Sequence, residues 1–511
     1  MILRLAQNVS VEPVYGDDDV DCRLLFIGDR YRQLLRLYPE VIYRLSRPGS
    51  PSATAQYLKE SAEVRQFYDV EEDGGRVGLV MRDNIFREPA SLDGLNFELS
   101  VMDKSRHRHY PLPLDRFVAV GELLPLLMGD RSKAEVIEGL RSRLSGEAFV
   151  WAQDLLSRLQ TDGFLEQIAT IEPNYFLQSA VRPRVTFVAH TSLLLQSPST
   201  AVLLDPLFRK RLGLPHRAID SARLDLGAIC CSHSHWDHCD VATLLLFDKR
   251  TPVIIPKVHR PTIFNPPIVP MLKLIGFKDI REVELWQPIQ VKDVEIVPVP
   301  FHGEQDEPDA EIDHYTYVLR TRDLSLYGGV DAFRDTFGDM RADLERVRRE
   351  YKPTVAFLPV SRMTYSYKYG GVNGFCRRVD TSLLDKSFQY TAGPVLAVEW
   401  ARLLDARWIV PYATFTFTKT SPSLPVREYA DEMTKAGLAH RLIALRPLDS
   451  LEPKDLNSGR RSTLRRKFLG GWLRATAAMN RMDRRLRSFL LYRGIRRLLK
   501  RSESPAAGHH H

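Results

Sequence analysis

At 511 residues, with 44% hydrophobic and 27% charged side chains, the chain has an ordinary globular composition and is too long for one hydrophobic core. No stretch approaches the roughly 18 uninterrupted apolar residues of a membrane span. Five cysteines make no disulfide framework, and the opening Met-Ile-Leu-Arg-Leu-Ala-Gln-Asn has no basic, apolar leader pattern, so an intracellular cytoplasmic protein is expected. The net charge of +8 is uneven: between Lys454 and Arg501 stand sixteen Lys/Arg against two Asp/Glu, leaving −6 for the rest.

In chain order, 24–27 and 77–81 are short strand candidates among polar loops. The run 120–127 is mostly apolar. Gly129-Asp130-Arg131-Ser132 then makes a turn with Ser132 placed to cap a helix carrying Ala134, Ile137, Leu140 and Leu144 at helical spacing. A second helix has Phe149, Ala152, Leu155, Leu156 and Leu159 on one face and ends near Gly163, where Phe164-Leu165-Glu166 starts a strand. This helix, helix, wing order resembles the small winged-helix domains that bind leader peptides in peptide-tailoring systems, though a purely structural module is the favoured reading. After Pro183 the texture turns β-rich. Strands are expected at 185–195, 201–205, 228–232, 253–255, 291–299, 315–320, 324–327, 355–358 and 408–410, with helices at 335–349 and 397–404. From 464 to 499, Phe468, Leu469, Trp472, Met479, Met482, Leu486 and Phe489 recur at helical spacing among arginines. Such a basic amphipathic helix packs on the body, lies on an anionic membrane or attracts an acidic partner. No nucleic-acid reading module accompanies it. The closing Gly-His-His-His reads as the remnant of an engineered tag.

The chemistry concentrates after the apolar strand Ala228-Ile-Cys-Cys-Ser232, which runs straight into His233-Ser-His-Trp-Asp-His238. His233 and His235 are two apart on extended chain and point to the same side. The chain then turns into a helix and delivers Asp237 and His238 toward a neighbouring position, so that one strand end serves two adjacent metal ions. Imidazoles suit zinc and iron, and carboxylates recruit harder ions and bridge pairs of them. A lone strand histidine is usually a packed residue; three histidines and an aspartate in six positions leave little room for that reading. Cys239 is most simply a packed residue at the helix start, and Cys230 and Cys231 strand core.

This H-x-H-x-D-H pattern, over residues 184–411, resembles the metallo-β-lactamase superfamily. The resemblance implies an α/β chain with an αββα sandwich at 183–450. An N-terminal α+β domain (1–182) with the winged-helix segment would precede it, and a basic helical tail (451–506) and tag remnant (507–511) would follow. Leu203-Leu-Asp205-Pro matches the aspartate that braces the metal loop, and Asp331, after Tyr327-Gly-Gly-Val, matches the metal-bridging aspartate. Hydrolases of this fold take a third histidine from a Pro-x-His stretch, here Val299-Pro-Phe-His302-Gly-Glu304, and a last histidine where this chain has Ala413 in Val410-Pro-Tyr-Ala413. Alanine cannot bind a metal, so the second ion keeps Asp237, His238 and Asp331 and has an open face.

In both departures the chain is similar to the diiron β-hydroxylases of nonribosomal peptide biosynthesis, of the chloramphenicol-pathway type. By that resemblance the first iron takes His233, His235 and Glu304, with His302 the alternative to Glu304, and the second takes Asp237 and His238, with Asp331 bridging. Glu304 and Asp331 would carry catalysis. Two iron ions, O₂ and an electron donor protein would hydroxylate the β-carbon of an amino acid held as a thioester on a carrier protein, and the Tyr-rich stretch 363–371 could line the substrate channel. Two other readings stay open: a dinuclear zinc hydrolase acting on a lactone, phosphodiester or thioester, and a peptide-tailoring enzyme using the winged-helix segment to bind a leader. A homodimer is left open.

Overall fold

Between residues 184 and 451 the central strands of both sheets are buried on both faces, so each sheet has to be covered on both sides. The structure, a computed structural model, describes residues 2–6, 9–15, 37, 51–73, 76–82, 97–103, 105–129, 131–169, 183–208, 224, 226–259, 265–303, 312–334, 338–361, 364–366, 378–380, 387–389, 392–413, 424–453 and 456. The first sheet holds β1 (Arg184–Ala189), β2 (Ser192–Gln196), β3 (Ala201–Leu204), β4 (Leu226–Cys230), β5 (Val253–Pro256) and β6 (Ile280–Val283), in that order across the sheet. β1 to β3 form an antiparallel meander, and β3 to β6 run parallel. The second sheet holds β7 (Ile289–Val291), β8 (Val294–Pro300), β9 (Tyr315–Arg320), β10 (Ser325–Gly328), β11 (Val355–Pro359) and β12 (Trp408–Tyr412). A short β13 (Ser450–Leu451) pairs with the outer edge of β1.

The sheets pack face to face. Phe187, Leu193, Leu195, Val202 and Leu204 of the first meet Ile296, Tyr317, Leu319, Phe357 and Val410 of the second in one buried cluster. The alternate residues of the first sheet, Val188, Leu194, Leu203, Ile229 and Val253, face outward into a second cluster shared with Phe117, Val120, Leu124 and Leu155 of the N-terminal helices. Each such apolar side chain contributes about 1.5–3 kcal/mol on full burial, so the N-terminal helices form part of the layer that stabilises the first sheet. α1 (Val241–Leu244) and α2 (Val269–Leu274) complete that layer. α3 (Arg341–Tyr351), α4 (Gly393–Leu404) and α5 (Leu424–Lys435) belong with the second sheet.

In the N-terminal part, Ser132 caps the helix Lys133–Arg141 in a capping box with Glu135, as its position suggests. Helix Gly146–Thr161 buries Ala152, Leu155, Leu156 and Leu159, and Leu165–Ile168 then pairs with Ile2–Leu5. The apolar run 120–127 lies within the helix Phe117–Met128. The candidate at 77–81 falls within the strand Arg76–Met81, whereas 24–27 lies outside the described residues.

Two expected elements differ. The strand expected at 291–299 runs instead over Val294–Pro300, because Lys292 takes a left-handed φ of 50° and turns the chain back from β7, with Asp293 accepting from Ser197. The helix expected from 335 runs instead over Arg341–Tyr351, with Asp339 accepting from the Arg341 amide at its start. Residues Met1–Leu456 make one compact unit and Asn457–His511 a second. The latter holds most of the basic tail and lies outside the described residues. No helix among the described residues is long and apolar enough to cross a membrane.

Candidate metal centre

Strand pairing brings the chemistry to one rim of the sandwich. Leu204 pairs with Cys230 and Leu193 with Leu204, so Asp205, the loop after β4 and the β1–β2 turn at His190 share an edge. In the second sheet Pro300 pairs with Tyr315 and Pro359 with Tyr412, which groups His302, His314 and Ala413 at strand ends; the Gly329 amide bonds Phe357 O at 2.9 Å beside them. Four residues at these ends hold left-handed backbone: His190, Asp205, Val330 and Ala413, at φ of 47°, 44°, 50° and 57°. For the β-branched Val330 that conformation is strained, and such strain persists where the surroundings over-determine it. Here the Val330 amide donates to the buried Tyr412 hydroxyl, which fixes the turn carrying Asp331.

Asp205 organises the metal loop. Its Oδ1 accepts from the Ser232 amide at 2.7 Å, and its Oδ2 accepts the Ser232 hydroxyl at 2.8 Å and His238 Nδ1–H at 2.9 Å. A carboxylate only accepts, so His238 carries its proton on Nδ1 and turns Nε2 inward. The Ser232 hydroxyl proton is spent on Asp205, so its oxygen accepts from His233 Nδ1, 2.9 Å away, and His233 Nε2 is likewise left facing inward. This is the bracing expected of Asp205, and it sets the tautomer of two candidate ligands at once.

Four buried side chains present donor atoms that all lie within 4.8 Å of one another: Asp237, His238, Asp331 and His190. His238 Nε2 stands 3.2 Å from Asp331 Oδ2 and 3.8 Å from Asp237 Oδ1. His190 Nε2 stands 3.4 Å from Asp237 Oδ2 and 4.0 Å from Asp331 Oδ2. Beside them, His233 Nε2 and His235 Nδ1 face each other at 2.9 Å. His302 goes elsewhere: its Nε2 lies 3.1 Å from Asp343 Oδ2 on α3. Glu304 lies outside the described residues, as does the Tyr-rich stretch apart from 364–366, which pair with 387–389. Cys239 is fully buried in the outer core, and Cys230 and Cys231 sit in the two cores on opposite faces of β4.

Electrostatically the group is a buried knot of opposite charges. Burial opposes ionisation of Asp237, yet the His238, His190 and His235 rings outweigh it and hold the carboxyl well below the usual range. Burial likewise opposes a charged His238, yet Asp237, Asp331 and Asp205 together raise it well above an ordinary histidine. His314, beyond the first pair, is driven by burial and the nearby His238 down to about 3 and stays neutral.

A family model described as beta-lactamase superfamily domain matches residues 184–413. The matched stretch takes in every strand of the two-sheet sandwich except the short β13. A curated relative, the 4-amino-L-phenylalanyl-(CmlP-peptidyl-carrier-protein) 3-hydroxylase of Streptomyces venezuelae, is 27% identical over 129 residues, 24% of this chain. The chain thus covers only 24% of that protein's length. The crystal structure of CmlA, a diiron beta-hydroxylase from Streptomyces venezuelae, superposes with a TM-score of 0.55 at 14% identity, over 88% of this chain and 99% of that one. A point variant of CmlA gives 0.56 and 15%, over 88% and 100%. These superpositions take in the N-terminal part as well as the superfamily domain, so the likeness of fold extends through most of the chain.

The donor set of the superfamily domain fits metal ions. Asp331 Oδ1 is buried without a hydrogen-bond partner among the described residues, a costly state for a carboxylate oxygen and an ordinary one for an oxygen facing a cation. Donors sharing one ion at about 2.1 Å stand about 3.0 to 3.4 Å apart at neighbouring positions and about 4.2 Å apart at opposite ones. Four of the spacings in the four-residue group run from 3.2 to 4.0 Å, and all lie within 4.8 Å. Sequence reasoning did not place His190 beside Asp237, His238 and Asp331. It also missed His314, whose fully buried ring lies 5.3 Å from His233 and 5.9 Å from His235. The available signal for His190 was a lone imidazole in the tight turn of Phe-Val-Ala-His-Thr-Ser-Leu-Leu, between two almost wholly buried strands.

Proposed function

We propose that the chain is a diiron oxygenase that hydroxylates the β-carbon of an amino acid held as a thioester on a carrier protein. The reading rests chiefly on the buried His190, Asp237, His238 and Asp331 group beside the His233–His235 pair. Support comes from the fold shared with a diiron β-hydroxylase and from the curated relative that acts on a carrier-protein-bound amino acid. His233, His235 and Glu304 would hold the first iron, Asp237 and His238 the second, and Asp331 would bridge. When bound, the iron pair would supply the activation of O₂ and the oxidation of a C–H bond, one oxygen atom ending in the β-hydroxyl and the other leaving as water with two electrons from an external donor and two protons from solvent.

The chain's own residues hold and shield that centre. Asp205 and Ser232 lock the imidazoles of His238 and His233 in the tautomers that present Nε2. Tyr412 pins the turn that carries Asp331, and burial of His233, His235, His238 and Asp331 keeps bulk water from the reacting atoms. Trp236 is 38% exposed in the otherwise buried loop and would offer an aromatic face to an incoming aminoacyl group. The basic run at 454–501 suits an acidic carrier protein. A second reading, a dinuclear zinc hydrolase, draws on His314, which would make the first site all-imidazole. The test is to supply iron-loaded protein with O₂, a reductant and a set of aminoacyl carrier proteins, and to follow the thioester by mass spectrometry. Gain of one oxygen atom on the amino acid supports the reading. Release of the acyl group, with no O₂ consumed, supports the hydrolase.

A further inference from the structure

The H-x-H-x-D-H loop supplies two of the four donors around the second ion, Asp237 and His238, and the turn after β10 supplies a third, Asp331, but neither explains the fourth. In hydrolases of this fold the missing donor comes from a histidine at the place of Ala413, at the end of β12. In this chain Ala413 is 1% exposed, and its amide donates to the carbonyl of His190 at 2.9 Å. The two residues are therefore bonded neighbours across the rim, one from each sheet, and both hold the left-handed backbone that aims a side chain away from the strand direction. The ring of His190 is 4% exposed, and its centroid lies 5.2 Å from that of His238. Its Nε2 lies 3.4 Å from Asp237 and 4.0 Å from Asp331. These spacings fit donors arranged around a common ion, all four donor atoms lying within 4.8 Å of one another.

We propose that His190 ligates the second metal ion, taking over from the β1–β2 turn the place that a histidine at 413 would occupy. The inference rests on the dinuclear reading above. It changes the coordination expected there: four protein donors (His190, Asp237, His238 and Asp331) surround the second ion, so less of its shell remains open to O₂ or substrate than three donors would leave. His190 is also the only one of the four that comes from the first two strands, so it ties β1 and β2 to the metal.

The experiment uses full-length protein loaded with cobalt(II), whose visible absorption reports coordination, followed by a chelator titration with metal analysis. Wild type, His190→Ala, His190→Gln and the double variant His190→Ala/Ala413→His are compared, with melting of each metal-free form as the folding control. Wild type is expected to hold two ions per chain. Both single variants should hold the second more than about 100-fold less tightly, beyond the 10- to 100-fold cost of losing a residue that only orients a ligand. The double variant should recover most of that loss, since histidine tolerates the left-handed backbone at 413. Single variants that keep wild-type affinity and absorption would show that His190 is only a neighbour of Asp237 and overturn the inference. A double variant that stays as weak as His190→Ala would overturn the exchange of 190 for 413. Wild type that binds fewer than two ions would instead remove the dinuclear reading itself.

Discussion

Two segments of the same rim supply imidazoles to one centre, and they are built very differently. The loop after β4 packs His233, His235, Asp237 and His238 into six residues, and all four are nearly or fully buried. The turn after β1 brings in a single histidine, His190, within a tight connection between two strands of the sandwich core. The loop's geometry is local: an extended pair, then a turn, then Asp240 capping α1 through the Thr243 amide. The turn's geometry is wholly tertiary, because it depends on the β1–β2–β3 meander placing Leu193 opposite Leu204 and so His190 beside Asp205. Function can therefore be written densely at one strand end while depending equally on a residue that no local pattern marks.

The comparison can be broken from the loop's side first. His233→Ala and Glu304→Ala should each empty the first position and abolish hydroxylation, a loss on the order of 1,000-fold or more measured by O₂ uptake with thioester analysis. A Glu304→Ala protein with full metal content would remove that residue from the ligand set. Asp205→Ala tests whether the loop needs its brace. Freed from Asp205, His238 and Ser232 lose their orientation, and affinity for the second ion should fall about 10- to 100-fold by competition with a chelator.

A pH titration of metal uptake sharpens the electrostatic side. His238 in the metal-free protein is held above the ordinary histidine range by Asp237, Asp331 and Asp205 against the cost of burial. Through neutral pH it therefore carries a proton that a metal must displace from Nε2. Affinity should rise about tenfold per pH unit, with about one proton released from His238 per ion bound, and should flatten once pH passes the raised pKa. Proton release measured in weakly buffered solution checks this, and uptake independent of pH between 6 and 8 would contradict it. The smallest effect belongs to His302. Its Nε2 meets Asp343 at 3.1 Å in a partly exposed pair, so His302→Ala should cost about 1 kcal/mol of stability in urea melts and leave metal content unchanged.

Much of this architecture was legible in the sequence, for physical reasons. The strands of the sandwich are continuous apolar runs, the capping box at Ser132 and Glu135 marks its helix, and Asp205 ends a buried strand at a proline. What could not be read depends on contacts distant in sequence. The 291–299 run is apolar at both ends, and nothing in its periodicity shows that Lys292 adopts a left-handed turn that splits it. His190 and His314 look like strand-end residues until the two sheets stack and bring them within reach of the metal loop. The residue expected at the end of β12 is absent, and the residue that lies against that spot comes from 223 positions earlier in the chain.

The central claim is that two redox-capable ions share a buried set of carboxylates and imidazoles on this scaffold. Metal analysis of the purified protein, with optical and Mössbauer spectroscopy of the same sample, tests it most directly. The account predicts two iron ions per chain and the absorption of a carboxylate-bridged diferric pair that reduction bleaches. Two zinc ions per chain, with iron unable to displace them and no redox response, would contradict it.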